Sequence, residues 1–243
     1  MSSTVIVVRS ALFYAIAVIW TALLFFAALP IFVTFNSNII SYVGLLWAKV
    51  MLLMLKACCG LSYQVEGLDT VPDTPFIIAC KHQSAWETIF LSSCFKNSKF
   101  ILKKELTYIP FFGWYIILVG MIWIDRKSGI HSLKRIARDV ATALNKSDNV
   151  VVIFPEGTRT KPLESVEYKS GILAIHKVNR EIPIVPVALN SGVFWPKGLL
   201  IKPGTVTIKF LEPISHSTDQ RQLLKLLKEK IDLESNLLAH YIS

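Results

Sequence analysis

The sequence predicts an α/β protein: a mixed, largely parallel sheet flanked by helices, carrying an N-terminal membrane-associated helical hairpin. Two observations carry this reading. From Ser10 to Ala48 the chain runs 39 residues without an Asp, Glu, Lys or Arg. After Gly60 the texture changes to short apolar runs alternating with longer amphipathic stretches, the order from which sheets with flanking helices are built. The boundary falls at residue 60, with an anchor over 1–60 and a catalytic-sized domain over 61–243, out of 243 residues in all.

The hairpin comes first. A membrane-spanning helix needs about 20 apolar residues, so the uncharged run holds either one long helix or two. Asn36, Ser37 and Asn38 break it, and Pro30 sits shortly before them. The expected helices are therefore 8–35 and 39–57, joined by a turn. Arg9 precedes the run and Lys49 and Lys56 follow it, while the turn is uncharged. Positive residues stay on the cytoplasmic side, which favours a hairpin with both ends there, whether it crosses the bilayer or enters one leaflet. The run is too long for the apolar core of a cleaved signal, about 7–15 residues.

Five apolar runs read as buried strands: 76–80, 99–102, 120–124, 150–154 and 184–189. Residues 205–211 alternate and read as a strand nearer an edge. Between strands, 128–146 puts Leu133, Ile136, Val140 and Leu144 on one helical face and Lys134, Arg135 and Arg138 on the other. The tail 219–241 repeats that pattern with Leu223, Leu227 and Ile231. Tyr108 to Ile124 is a second uncharged stretch, 17 residues rich in aromatics. It reads as a buried loop and strand or as a surface that meets a bilayer, the two equal over Thr107 to Tyr115, where the aromatics concentrate.

Net charge is +9, of which the first 60 residues supply +3. A basic domain beside an anchor suits anionic lipid or phosphorylated substrates, and composition alone leaves nucleic acid open. The four cysteines, Cys58, Cys59, Cys80 and Cys94, match no metal-ligand spacing.

The chemistry gathers where strands end, the place ligands occupy in open α/β sheets. After strand 76–80 comes His82-Gln83-Ser84-Ala85-Trp86-Glu87. Ser84 and Glu87 have the spacing of a helix capping box. With His82 outside the helix and Glu87 in its first turn, the carboxylate also reaches the imidazole Nδ1 and leaves Nε2 as a general base. After strand 150–154 comes Pro155-Glu156-Gly157-Thr158-Arg159, where glycine permits a tight turn and arginine grips an anion bidentately. Lys103 and Lys104 follow a third strand and Arg126 a fourth. Together these outline a positively charged pocket with one base in it.

These residues resemble the glycerolipid acyltransferases over roughly residues 60–215. His82 to Glu87 is similar to that family's His-x4-Asp/Glu motif, and Lys103 to Gly113 with Ile124 to Arg126 to its second block. Phe154 to Arg159 resembles the third block, and Ile182 to Val187 the proline-centred fourth. The resemblance implies the family's fold and an acyl transfer. His82 would take the proton from the 2-hydroxyl of 1-acyl-glycerol-3-phosphate as it attacks an acyl thioester, and Glu87 would orient His82. The resemblance places Lys103, Lys104, Arg126, Glu156, Gly157, Thr158 and Arg159 at the substrate phosphate. The arginines and one lysine would grip it, with Glu156 and Gly157 shaping the loop. It implies no metal and no cofactor beyond the donor, acyl-CoA or acyl-carrier protein, and a place on the cytoplasmic face of the inner membrane. One departure is visible: the family's commoner carboxylate is Asp, and this chain has Glu, one methylene longer.

Other readings are a different lysolipid or glycerol-3-phosphate as acceptor, a non-catalytic basic protein holding anionic lipid or nucleic acid, and a serine hydrolase. Cations set beside a histidine after strand ends disfavour the second. Neither Ser84 nor Ser170 lies in the Gly-x-Ser-x-Gly elbow that the third requires.

Overall fold

The computed structural model describes residues 2–73, 75–109, 112–125, 129–145, 149–214 and 219–240. The chain begins with α1 (Ser3–Ala27), α2 (Leu29–Phe32) and α3 (Ser37–Met54), the last continuing through one π-helical turn, Leu55–Cys59. The α/β unit follows: β1 (Leu61–Glu66), β2 (Phe76–Cys80), α4 (Trp86–Cys94), β3 (Ser98–Lys103), a 3-10 turn (Lys104–Tyr108), α5 (Phe112–Leu118), β4 (Ile122–Ile124) and α6 (Gly129–Leu144). It ends with β5 (Val150–Ile153), α7 (Gly171–Val178), β6 (Ile184–Leu189), α8 (Ser191–Phe194), β7 (Gly204–Phe210) and α9 (Gln220–His240).

The two hairpin helices are long and apolar enough to cross a membrane by length and composition. Their junction differs from the expected helix 8–35. Pro30 lacks an N–H and would clash with the preceding turn, so α1 stops at Ala27 and Pro30 sits in the first turn of α2, where proline fits. Asn36 then caps α3, its Oδ1 accepting the N–H groups of Asn38 at 3.1 Å and Ile39 at 3.3 Å. At the open end Arg9 Nε donates to the Cys58 carbonyl, and Trp47 Nε1 donates to Thr21 Oγ1 across the pair at 3.0 Å.

Strand order is β1-β7-β6-β2-β5-β3-β4. Every strand pairing is parallel except β6 with β7. The sheet is therefore mixed and largely parallel, as the sequence predicts. The central strands β2, β5 and β6 are buried along their whole length, which is why they read as unbroken apolar runs. Strand side chains alternate between faces. Phe76, Ile78 and Cys80 of β2 join a cluster with α3 and α4, whereas Ile77 and Ala79 join one with α6, α7 and α9.

Among the elements outside the sequence reading are β1 and α7. Strand β1 forms the edge beside β7, with only Leu61 fully buried, so it carries little apolar signal. Helix α7 is eight residues long, too short for a period to repeat. The hairpin is joined to the α/β unit by polar contacts as well as by the shared cluster. Ser10 Oγ accepts the Ile201 N–H at 2.9 Å, and Trp195 Nε1 donates to Tyr14 Oη at 3.2 Å.

Candidate active site

The parallel strands β2 and β5 deliver their following loops to the same end of the sheet. After Cys80 the chain leaves β2 and turns into α4. His82 Nδ1 lies 2.8 Å from Glu87 Oε1. The same oxygen accepts the backbone N–H groups of Gln83 at 2.7 Å and Ser84 at 2.8 Å. Ser84 Oγ in turn accepts the Trp86 N–H at 3.1 Å. Glu87 therefore both caps the helix and holds the imidazole, and its fully buried carboxylate makes these bonds in a medium where they are strong. The extra methylene of glutamate is accommodated because Glu87 is the second residue of α4 and folds back over its start. With the Nδ1 proton committed, Nε2 is the acceptor. The imidazole plane is fixed from a second side by Phe154, stacked at 4.0 Å between ring centroids and 19° between planes.

His82 borders a cavity of about 1130 Å³. Its lining includes His82, Lys103, Gly157, Thr158 and Arg159, with Lys169 and Lys197 adding two cations. The rest of the lining is mostly apolar and draws on α1, α3, α4, α5, α6 and α7 and on strand β3. Gly157 has φ of +70° and donates its N–H to the Phe154 carbonyl at 2.9 Å, a tight turn in a region unfavourable to side chains. That turn puts Thr158 and Arg159, both exposed, at the cavity rim. Such an arrangement can accept a proton from a hydroxyl brought to Nε2, hold an anion, and enclose a hydrocarbon chain.

The predicted phosphate group divides. Lys103, Gly157, Thr158 and Arg159 line the cavity; Lys104 and Glu156 do not. Lys104 is 3.8 Å from Asp125 and stands over the Trp123 ring. Arg126 lies outside the described residues. Glu156, grouped with the phosphate residues as one that shapes their loop, is buried beneath the histidine and does not face the cavity. Its Oε2 accepts the His82 backbone N–H at 2.7 Å, and its Oε1 meets Lys81 Nζ at 2.7 Å and the Thr160 hydroxyl at 2.8 Å. Those bonds occupy a carboxylate that would in any case repel a phosphate.

The residues from Lys81 to Lys169 described above fall within residues 62–190, the segment matched by the acyltransferase family profile. A relative from Pseudomonas aeruginosa, named 1-acyl-sn-glycerol-3-phosphate acyltransferase, is 38% identical over 88% of this chain and 83% of its own length. This chain belongs to the acyltransferase family. A Saccharomyces cerevisiae protein of the same name is 29% identical over 73% of this acyltransferase, which spans 60% of the yeast chain. The fold matches the crystal structure of the 1-acyl-sn-glycerophosphate acyltransferase PlsC from Thermotoga maritima. The TM-score is 0.77 with 22% identity, covering 96% of this chain and 95% of that one.

Two parts of the acyltransferase site have no counterpart in the sequence reading. Lys81, 1% exposed, bridges Glu156 to Asp232 of α9, whose Oδ1 is 2.8 Å away. Ser165, Tyr168 and Lys228 also bond Asp232. Burial works to lower the Lys81 pKa, but Glu156 and Asp232 outweigh it and hold the ammonium above its ordinary value. For Asp232 burial works upward and is outweighed by Lys81 and Lys228, so its carboxyl stands below the usual range. The second part is Ser191, whose hydroxyl donates to Glu87 Oε2 at 2.8 Å. Beside it the Gly192 N–H donates to Gln83 Oε1 at 3.0 Å, and a Cβ at 192 would sit 2.9 Å from Gln83 Cβ. The run Asn190-Ser191-Gly192 is a turn signal, but nothing in it names Glu87 as its partner.

Proposed function

We propose that this acyltransferase moves a fatty acyl group from a thioester to the 2-hydroxyl of 1-acyl-sn-glycerol-3-phosphate, giving phosphatidic acid. The observation that carries the reading is the His82–Glu87 pair at 2.8 Å, set on a cavity whose lining combines several cations with apolar side chains. The acceptor's phosphate would sit with Arg159 and Lys103, its hydroxyl at Nε2, and the hydrocarbon in the apolar part. Relatives from a bacterium and a yeast that carry that substrate in their names support the choice of acceptor.

The reaction follows from the geometry. His82 Nε2 takes the hydroxyl proton as the oxygen attacks the thioester carbonyl. The C–S bond then breaks, the thiolate receives that proton from the imidazolium, and ester and free thiol leave. Glu87 stabilises the imidazolium and keeps its ring in register. General-base catalysis accounts for about 10²–10⁴-fold, and fixing the phosphate supplies much of the rest by positioning. No cofactor beyond the donor enters these steps. The donor is acyl-CoA or acyl-carrier protein. The hairpin would seat the protein on the cytoplasmic face of the inner membrane, where a lipid acceptor and a water-borne thioester meet.

The test is thiol release by the purified full chain, with each donor, in the presence and absence of 1-acyl-glycerol-3-phosphate. Release that needs the acceptor and falls by about 10²-fold or more in His82→Ala is expected. Release indifferent to the acceptor, or undiminished in His82→Ala, would sink the reading. Turnover with glycerol-3-phosphate alone would move the acceptor and leave the mechanism.

A further inference from the structure

Helix α5 is apolar on both sides, and only one side is covered. Gly113, Ile116 and Val119 are buried, and Val119 packs into a cluster with Phe25, Ala28, Phe32 and Ile40 of the hairpin. The other side presents Trp114 at 56% and Ile117 at 60% exposure, and the turn ahead of it adds Tyr108 at 70%. A helix facing water carries polar residues on its outer side; this one carries none, and the chain has no charge from Tyr108 to Ile124.

The helix cannot turn that face inward. A Cβ at Gly113 would lie 2.1 Å from the Thr107 carbonyl oxygen, so the start of α5 is seated against the preceding turn. At its end Gly120 takes φ of +69°, and the buried Lys99 ammonium donates to the Val119 carbonyl. The exposed face is also continuous with the hairpin. The Trp114 ring lies 5.7 Å from Phe25 of α1, and beyond it Phe26, Val33 and Phe35 are 58%, 73% and 77% exposed.

We propose that α5 and the turn before it form a second lipid-binding element, seated in the leaflet on the side from which the hairpin enters. This rests on the membrane placement given above. A phospholipid leaflet fits better than a protein partner because tryptophan and tyrosine favour the boundary between hydrocarbon and headgroups. The consequence is functional. Phe112, Tyr115 and Ile116 of α5 line the same cavity as Ala17 and Thr21 of α1, so both elements that wall the acyl-binding space would stand in lipid.

The experiment uses the full chain with two acceptors: long-chain 1-acyl-glycerol-3-phosphate in vesicles of phosphatidylethanolamine and phosphatidylglycerol, and a short-chain analogue dissolved as monomer. Trp114→Asp and Ile117→Asp are compared with Val18→Asp on the exposed side of α1. A charge placed in the leaflet should lower vesicle turnover by about tenfold and leave soluble turnover within about twofold. Equal losses with both acceptors, or no loss while Val18→Asp is impaired, would overturn the proposal. A wild-type chain silent with both acceptors would instead sink the acyl-transfer reading. Vesicles with brominated acyl chains then decide α5 independently of activity. Quenching should be smaller in Trp114→Phe than in the wild type, and identical quenching would place α5 in water. A chain that pairs in solution through this face, and is quenched no further by vesicles, would give the surface to a second copy and overturn the proposal.

Discussion

The Glu87 carboxylate takes hydrogen bonds from His82, Gln83, Ser84 and Ser191, while Val18 on α1 and Trp114 on α5 stand more than half exposed. In the loop, stability and orientation depend on a few directional bonds inside a dry interior, where one missing atom leaves a partner unsatisfied. On the outer helix faces no single bond matters, and the surrounding medium sets the sign of each side chain's contribution. The two regions should therefore fail in different assays. Loop substitutions should be visible in folding and turnover in any medium, and face substitutions only where lipid is present.

The largest effect is expected at Lys81. Lys81→Met leaves Glu156 buried without its cation and Asp232 with Lys228 alone. Removing one member of a buried ionic group costs about 3–5 kcal/mol, read as a fall in unfolding midpoint in detergent. A loss comparable to that of a surface substitution would erase the contrast between the regions. Next is Ser191→Ala. It deprives Glu87 Oε2 of its described donor, a loss worth about 1–3 kcal/mol. If the bond serves orientation, turnover should fall by about tenfold while the KM for the acceptor holds, and Ser191→Thr should recover part of it. A change confined to KM would mean that Ser191 shapes substrate binding instead.

These two residues also mark the limit of what the sequence discloses. The pairing of His82 with Glu87 is legible because five residues across a strand–helix junction leave few other places for the side chains to go. The central strands are legible because burial on both faces writes itself as continuous apolar residues. Lys81 reads as a charge beside a motif, since its partner Asp232 lies 151 positions away on α9; the Ser191–Glu87 bond spans 104. Glu156 is legible in part: its neighbours Gly157 and Arg159 mark a ligand-facing loop that it helps to shape, and its bonds to Lys81 and Thr160 show that this side chain does so from underneath. For Tyr108 to Ile124 both sequence readings contain part of the answer. Residues 112–118 are helical, with one side buried as a core would be and the other left apolar and exposed.

A smaller effect concerns pH and belongs to the loop. Asp232 titrates below its ordinary 3.8 in the folded chain, so its ionised form contributes stability that is present above that value and lost as pH falls through the lower folded pKa. Lys81 is raised above 10.5, and its contribution is present below that value and lost as pH rises through the folded pKa. The groups facing them are Glu156, Ser165, Tyr168 and Lys228. Asp232→Asn should lower stability at neutral pH and lose less of what remains on acidification below about pH 4. Thermal midpoints of both chains from pH 3 to 6 check this, and parallel curves would mean that Asp232 is not a source of the acid sensitivity.

The smallest expected effect tests the other region. Val18 is 69% exposed in the middle of α1, and Val18→Ser removes apolar area without adding charge or disturbing a packed neighbour. In detergent-free solution or a weakly binding detergent, stability should change by no more than about 0.5 kcal/mol, as for surface positions in general. On vesicles the same substitution should weaken binding several-fold, because a valine moved from water into hydrocarbon gains about 1.5 kcal/mol and a serine does not. The informative outcome is the ratio. If Val18→Ser destabilises the fold as Ser191→Ala does, α1 is held by packing on its outer side as well, and that face is covered by protein. If it weakens vesicle binding while leaving the fold intact, the chain keeps its chemistry and its lipid contact in separable regions. The polar loop would then carry turnover, and the apolar faces would decide only where turnover happens.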